Sequence, residues 1–240
     1  MNKLLTIIAV LVVFMTPALA GAQTKTGFTP TYLIDFVVLN EGKTIEERLE
    51  YERKITPVIK KYGAVKDQAY NLHTFIAGPP KEAVQLNIYA MPGPGTLQKV
   101  SSDPDYQQHV PFRNEVHNMQ ALTMYTGEAI ANAGQINNQH ILVDLVVMND
   151  GYGHPERFEY ESKMRDIARK HGATLINSFD IDQKLGGIGP DKALKLNLWA
   201  LESPEVMVAL SSDPAYKALA PYRDQFHDMK NITLYMASPQ

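Results

Sequence analysis

The chain has 240 residues, of which 45% are hydrophobic and 20% charged, enough apolar material for a folded core in one or two domains. Lys and Arg total 23 against 26 Asp and Glu, a net charge of -3, which excludes the basic surface that a nucleic-acid partner requires. There is no cysteine, hence no disulfide, no thiolate nucleophile and no thiolate-ligated metal or cluster.

In chain order, Lys3 opens a positive segment, Leu4 to Met15 is an apolar run of signal-peptide length, and "PALA" ends in small residues at Ala18 and Ala20. Residues 1-22 therefore read as a signal peptide cleaved after Ala20 or Ala22, which places the mature protein in the periplasm or outside the cell. The competing reading is an uncleaved N-terminal anchor. The run is short for a membrane span and no second one follows, so no integral membrane segment is expected after cleavage.

Leu33 to Leu39 is β-branched and apolar and predicts a strand. Thr44 to Tyr62 predicts a helix, with Tyr51, Ile55, Val58, Ile59 and Tyr62 on one face and Gly63 as its stop. Strands follow at Gln68 to Ile76 and Val84 to Met91. Asp103-Pro104 is the cap and first residue of a second helix, which Pro111 should break or kink. Leu122 to Thr126 closes the unit as a fourth strand.

The same order then recurs. "SSDPDYQQHVPFRNEVHNM" from Ser101 returns as "SSDPAYKALAPYRDQFHDM" from Ser211, nine of nineteen positions being identical. "YLIDFVV" from Tyr32 returns as "HILVDLVV" from His140, and "VQLNIYAM" from Val84 as "LKLNLWAL" from Leu194. Repeats of this length are domains rather than solenoid turns. The reading is repeat 1 at 30-127, a linker at 128-138 and repeat 2 at 139-237, each βαββαβ. The expected class is α+β: tandem ferredoxin-like domains forming an intramolecular dimeric α/β barrel, each copy burying the other's open sheet face. Further oligomerisation is left open.

"YLIDFVV", the "KKYGA" helix end, "VQLNIYA" and "SSDPDYQQHVPFR" resemble the dimeric α/β-barrel superfamily of ferredoxin-like domains. It includes antibiotic-biosynthesis-type monooxygenases, haem-degrading monooxygenases, polyketide cyclases and stress-responsive barrel proteins. The pattern is most similar to an uncharacterised group with a "SPEY…R"-like second helix. The resemblance implies the fold and permits cofactor-independent oxygenase chemistry or haem binding; it carries no shared catalytic motif.

Strand parity separates two faces. Val84, Leu86, Ile88 and Ala90 should take the helices, whereas Gln85, Asn87 and Tyr89 should look across at the other copy, as should Lys195, Asn197 and Trp199. Asp35, Asp144, Tyr125 and Tyr235 are placed on that polar side, with Lys195 as a partner for one Asp. The functional reading is an aromatic-lined cavity for a small organic molecule, bound by Asn87, Tyr89, Tyr125, Asn197, Trp199 and Tyr235. Asp35 or Asp144 could act there as general base. The alternative is a polar seam that fixes the register of the halves.

Tyr106, Val110, Arg113 and His117 share a helical side, as do Tyr216, Ala220, Arg223 and His227. Arg113 and Arg223 could hold a carboxylate or enolate oxygen, with His117 and His227 as further catalytic candidates. The blander reading pairs Arg113 with an acid and caps the helix with His117. Glu47 and Arg48 extend the Tyr51 stripe toward a pocket mouth, or form an exposed ion pair. Trp199, the only tryptophan, replaces Tyr89 and marks the halves as different. No phosphate-loop, nucleophile-elbow or metal spacing is present, so no metal or cofactor is expected, apart from haem on His227 beside Trp199. The function read here is an exported binder of a small organic molecule. The alternatives are a cofactor-independent monooxygenase- or cyclase-like enzyme, a haem-binding protein, or an envelope protein with no ligand.

Overall fold

The computed structural model describes residues 30-240; the expected signal peptide at 1-22 lies outside them. The elements run β1 (Thr31–Val37), α1 (Ile45–Lys61), β2 (Val65–Ala77), β3 (Gln85–Met91), α2 (Gly95–Ser101), α3 (Pro104–Gln107), α4 (Val110–Val116) and β4 (Thr123–Ala131). The second half repeats them as β5 (His140–Val147), α5 (His154–Lys170), β6 (Ala173–Gly186), β7 (Ala193–Leu201), α6 (Val206–Ser212), α7 (Pro214–Phe226) and β8 (Thr233–Pro239). Among the described residues no helix is long and apolar enough to cross a membrane.

Local chemistry sets the ends of these elements. Thr44 caps α1, its backbone N–H donating to Glu47 Oε2 at 2.9 Å while its hydroxyl accepts from the Glu47 N–H at 3.3 Å. Asp103 accepts from the Asp105 N–H at 2.7 Å to start α3, and Asp213 from the Ala215 N–H at 2.6 Å to start α7. The helix breaks at Gln108 and His109, with Pro111 in the first turn of α4, whereas α7 runs unbroken through Pro221.

The eight strands close into an antiparallel barrel in the order β1-β3-β2-β8-β5-β7-β6-β4. Each half contributes four adjacent strands, and the seams are β2 with β8 and β4 with β6. Closure removes every exposed sheet edge. β4 continues to Ala131, into the expected linker, because its extra residues pair with β6 out to Ser178.

The barrel interior corrects the predicted assignment of faces. Leu86 and Ile88 do not meet the helices: they are fully buried with Ile34, Phe36, Ile141, Leu145, Leu196 and Leu198, in one core fed by both halves. An eight-stranded barrel is only wide enough to be filled by side chains, so the strictly apolar parity goes inward. The mixed parity of Asp35, Asn87 and Tyr89 is left facing the helices. Tyr125 and Tyr235, expected on that mixed face, also point into the barrel. Each holds the β2–β3-type loop of the opposite half: Tyr125 donates to Pro190 O at 3.0 Å and Tyr235 to Pro80 O. Gly78 and Gly187 lie in those loops at φ 79° and 92°. A Cβ there would sit 1.8 Å from Ile232 O and 1.6 Å from Leu122 O, so only glycine lets the loops close on the neighbouring half.

Candidate functional site

Two cavities lie between the outer face of the barrel and the helices, one per half. The N-terminal cavity measures about 360 Å³ and the C-terminal one about 130 Å³. Their linings correspond position by position: Leu33 with Leu142, Asp35 with Asp144, Arg48 with Arg157, Tyr51 with Tyr160, Tyr89 with Trp199, Arg113 with Arg223, His117 with His227. The first volume falls within the range of small-molecule sites; the second is well below it.

In the N-terminal cavity, β1 presents Asp35 from between Asn87 on β3 and Met124 on β4. Arg48 comes from the first turns of α1 and is 2% exposed. The exposed Glu47–Arg48 pair that the sequence suggested does not form. Arg48 instead bonds Glu52 one turn on at 2.5 Å, and Glu52 also meets Lys66. Arg113 Nη1 donates to the Tyr106 hydroxyl at 3.1 Å, and its other nitrogens to Asn114 rather than to an acid. His117 ends α4, its Nδ1 lying 3.0 Å from Arg113 O. A carbonyl can only accept, so the ring proton is on Nδ1 and Nε2 carries a lone pair. The ring of Tyr51 meets that of His117 edge-on at 5.0 Å.

Burial shifts the ionisable groups here. The Asp35 carboxyl rises to about 6, chiefly because burial penalises its charge; Arg48 opposes the rise and Glu52 adds to it. Burial lowers His117 to about 4, so the imidazole is neutral at pH 7. Burial also raises the Tyr89 and Tyr51 phenols. Asp35 Oδ1, Arg48 Nε, Gln85 Oε1 and both side-chain atoms of Asn87 are buried without a hydrogen-bond partner among the described residues. Asn87 is fully buried beneath the cavity rather than lining it.

The C-terminal cavity spends the same groups on one another. Arg157 donates from Nη2 to Asp144 at 3.0 Å and from Nε to Glu161 at 2.8 Å, and its Nη1 lies 2.9 Å from His227 Nε2. His227 Nδ1 lies 2.8 Å from Arg223 O, and burial, then Arg157, keeps the imidazole below its ordinary pKa. Asn197 donates to Glu161 at 2.8 Å and accepts from Ser178 at 2.8 Å. Lys195, expected beside an Asp of the first strands, meets Glu161 at 3.5 Å and Asp180 at 3.8 Å. Haem on His227 does not fit: the ligating nitrogen faces a guanidinium, in a space far too small for the macrocycle.

The predicted residues thus divide. Asp35, Tyr89, Arg113 and His117 line the N-terminal cavity, and Asp144, Trp199, Arg223 and His227 the C-terminal one. Asn87 and Asn197 lie in the polar layer beneath, and Tyr125 and Tyr235 inside the barrel. Sequence reasoning undervalued Arg48 and missed Arg157, Glu52 and Glu161. The signal was the helical phase: Arg48 precedes Tyr51 by three residues, and Glu52 follows Arg48 by four.

No protein-family model and no curated protein matches the sequence. Solved structures do match over nearly the whole described chain. An anthrone oxidase-like protein aligns at 12% identity with a TM-score of 0.53, covering 87% of this chain and 91% of its own. A mutant chlorite dismutase from Candidatus Nitrospira defluvii aligns at 10% identity with a TM-score of 0.52, covering 89% and 93%. At such identities the likeness is one of fold alone, a closed eight-stranded antiparallel barrel with helices outside it.

Proposed function

We propose that the protein is exported and binds a small organic molecule between the outer face of the barrel and its helices. The chain is read as an intramolecular pseudo-dimer of ferredoxin-like modules, and export rests on the signal-type segment at 1-22. The observation that carries the reading is the roughly 360 Å³ cavity, mostly apolar, lined by Asp35 from β1, Arg48 from α1, and Arg113 and His117 from α4 and its end. An apolar enclosure with a few convergent polar groups is the usual form of a ligand site. The test is native mass spectrometry of the protein isolated from its own compartment. A bound molecule of defined mass, lost on acid unfolding, is expected. Bare protein in every preparation, together with retention of residues 1-22, would remove both halves of the reading.

A second reading is a cofactor-independent, monooxygenase-like enzyme, favoured by Asp35. A carboxyl that titrates near 6 is suited to taking a proton from an activated substrate near neutral pH. It also accords with the likeness to an anthrone oxidase-like protein. Oxygen uptake with hydroxylated aromatic substrates, abolished in Asp35→Asn, is the expected result. Uptake unchanged by that substitution would exclude Asp35 as the base.

A further inference from the structure

Resting on the binder reading, we infer that only the N-terminal cavity takes ligand, one molecule per chain, and that the buried end of this ligand is a neutral hydroxyl. Three corresponding groups carry the inference. In the C-terminal half, Asp144, Arg157 and His227 satisfy one another: Arg157 holds the carboxylate at 3.0 Å and its Nη1 covers His227 Nε2 at 2.9 Å. In the N-terminal half the same three residue types stand apart. Among the described residues, Asp35 Oδ1 and Arg48 Nε are buried with no hydrogen-bond partner, and His117 is bonded through Nδ1 alone. A buried polar atom without a partner costs free energy that its satisfied twin does not. The cavity that Asp35, Arg48 and His117 line is nearly three times larger than its counterpart, about 360 Å³ against about 130 Å³.

The open valences also select the ligand. Of the groups that line the cavity, the Asp35 carboxylate and His117 Nε2 are acceptors, and the Arg48 guanidinium is a donor. A hydroxyl has one proton to give and lone pairs to receive, and so complements both kinds. A carboxylate has only acceptors and would face those of Asp35 and His117, while Arg113, the other cation of the lining, already donates to the Tyr106 hydroxyl and to Asn114. An ammonium has only donors and would face the Arg48 guanidinium. The rest of the wall, including Leu33, Ile55, Met91, Leu97, Val100 and Leu122, asks for an apolar body.

The experiment uses the mature chain with 1-naphthol as probe, and naphthalene and 1-naphthoate as comparison ligands. Calorimetry gives the stoichiometry. The indole N–H resonance gives the location, because the single tryptophan, Trp199, lines the C-terminal cavity. One 1-naphthol per chain is expected, at least about tenfold tighter than either comparison ligand, with the indole resonance unmoved. Asp35→Asn should weaken it by about the same factor, and Leu97→Trp, which fills the cavity, should abolish it. Two equivalents per chain, or a shifted indole signal, would overturn the single-site assignment while leaving the binder reading in place. Tighter binding of 1-naphthoate would overturn the hydroxyl assignment alone. Failure of all three to bind would overturn the inference, while a co-purified molecule of another class would still uphold the binder reading.

Discussion

The two cavities are built on one plan and differ in what surrounds the plan. Asp, Arg and His occupy matching positions in both, yet in the C-terminal half they are bonded to one another and in the N-terminal half they are not, although Glu161 Oε2 and Asp180 Oδ1 also lack a hydrogen-bond partner among the described residues. Three neighbours account for this. Lys66, paired with Tyr89 across β2 and β3, draws Glu52 toward itself; its counterpart Leu175 has no charge, and Glu161 turns to Arg157, Asn197 and Lys195. Ala69 stands where Ser178 supplies a hydroxyl to Asn197, so Asn87 is left unpaired. Tyr89 brings a phenol beside Arg48, whereas Trp199 brings more bulk and no hydroxyl. Whether a polar triad is a brace or a site is therefore decided by residues that are not members of it.

The strongest way to break this comparison is to remove the arginines. Arg157→Met strands two carboxylates and an imidazole in a buried layer, and truncating one partner of such a network costs about 3–5 kcal/mol. Arg48→Met should cost clearly less, because Glu52 keeps Lys66 and Asp35 was not bonded to Arg48. Urea unfolding of the two variants checks the ranking. Equal losses would mean that the two networks are energetically alike.

The aspartates should differ in sign. Asp35 is raised from 3.8 to about 6 on folding, so its protonated form is favoured in the native state. That contribution is fully present below pH 4 and is lost as the pH rises through 6. Above pH 6 the ionised carboxylate burdens the fold by up to about 3 kcal/mol, at 1.4 kcal/mol per unit. Asp35→Asn should therefore raise the melting temperature at pH 7.5 and bring no gain below pH 4. Asp144→Asn removes a charge-assisted bond to Arg157 and should destabilise by about 1.5–3 kcal/mol at pH 7.5. Destabilisation by both would show that Asp35 is braced in solution as Asp144 is. His117 runs the other way. Burial lowers it from 6.5 to about 4, so the stability tied to its neutral form is present above pH 6.5 and lost as pH falls through 4. In Asp35→Asn, where no carboxyl offsets it, the acid limb of the stability profile should steepen between those values.

These contrasts also show where sequence was informative. The element order was legible because 3.6- and 2-residue periodicities and the Asp-Pro helix start leave direct marks. Which strand face turned inward was not, because alternation separates two faces without saying which is enclosed. The rule that helices take the most apolar face fails when the sheet closes on itself and has an interior of its own to fill. The placements of Tyr125 and Tyr235 followed that parity. Arg48 was in phase with Tyr51 and still read as a surface residue, since arginine seldom is fully buried unless paired and the pairing acid lies a turn further on. The unequal cavities were foreshadowed only by Tyr89 against Trp199; the effects of Lys66 and Ala69 depend on cross-strand register, which sequence alone does not give.

The smallest expected effect serves as the control for the whole comparison. Asp103 and Asp213 cap the helices that follow α2 and α6, and each is tied to the end of the half's long helix. Asp103 accepts from Lys61 and from the Tyr62 hydroxyl, both at 2.7 Å, while Asp213 Oδ2 lies 2.6 Å from His171 Nε2 and 3.4 Å from Lys170 Nζ. The Lys61 bond, more than any other contact, lowers the Asp103 carboxyl to about 2; the His171 contact holds Asp213 well below the usual range. A lowered carboxyl stabilises the native state above the unfolded value, near pH 4, and loses that contribution as pH falls through the folded value. Asp103→Ala and Asp213→Ala should each lower the melting temperature by a few degrees at pH 7, by closely similar amounts, with both deficits shrinking as pH falls below 4. Neither aspartate lines a cavity. Matched losses here, beside opposite signs at Asp35 and Asp144, would confine the divergence of the halves to the cavities. Unequal losses would spread it along the whole scaffold, and the open valences of Asp35 and Arg48 would then be one of many relaxed features rather than the mark of a site.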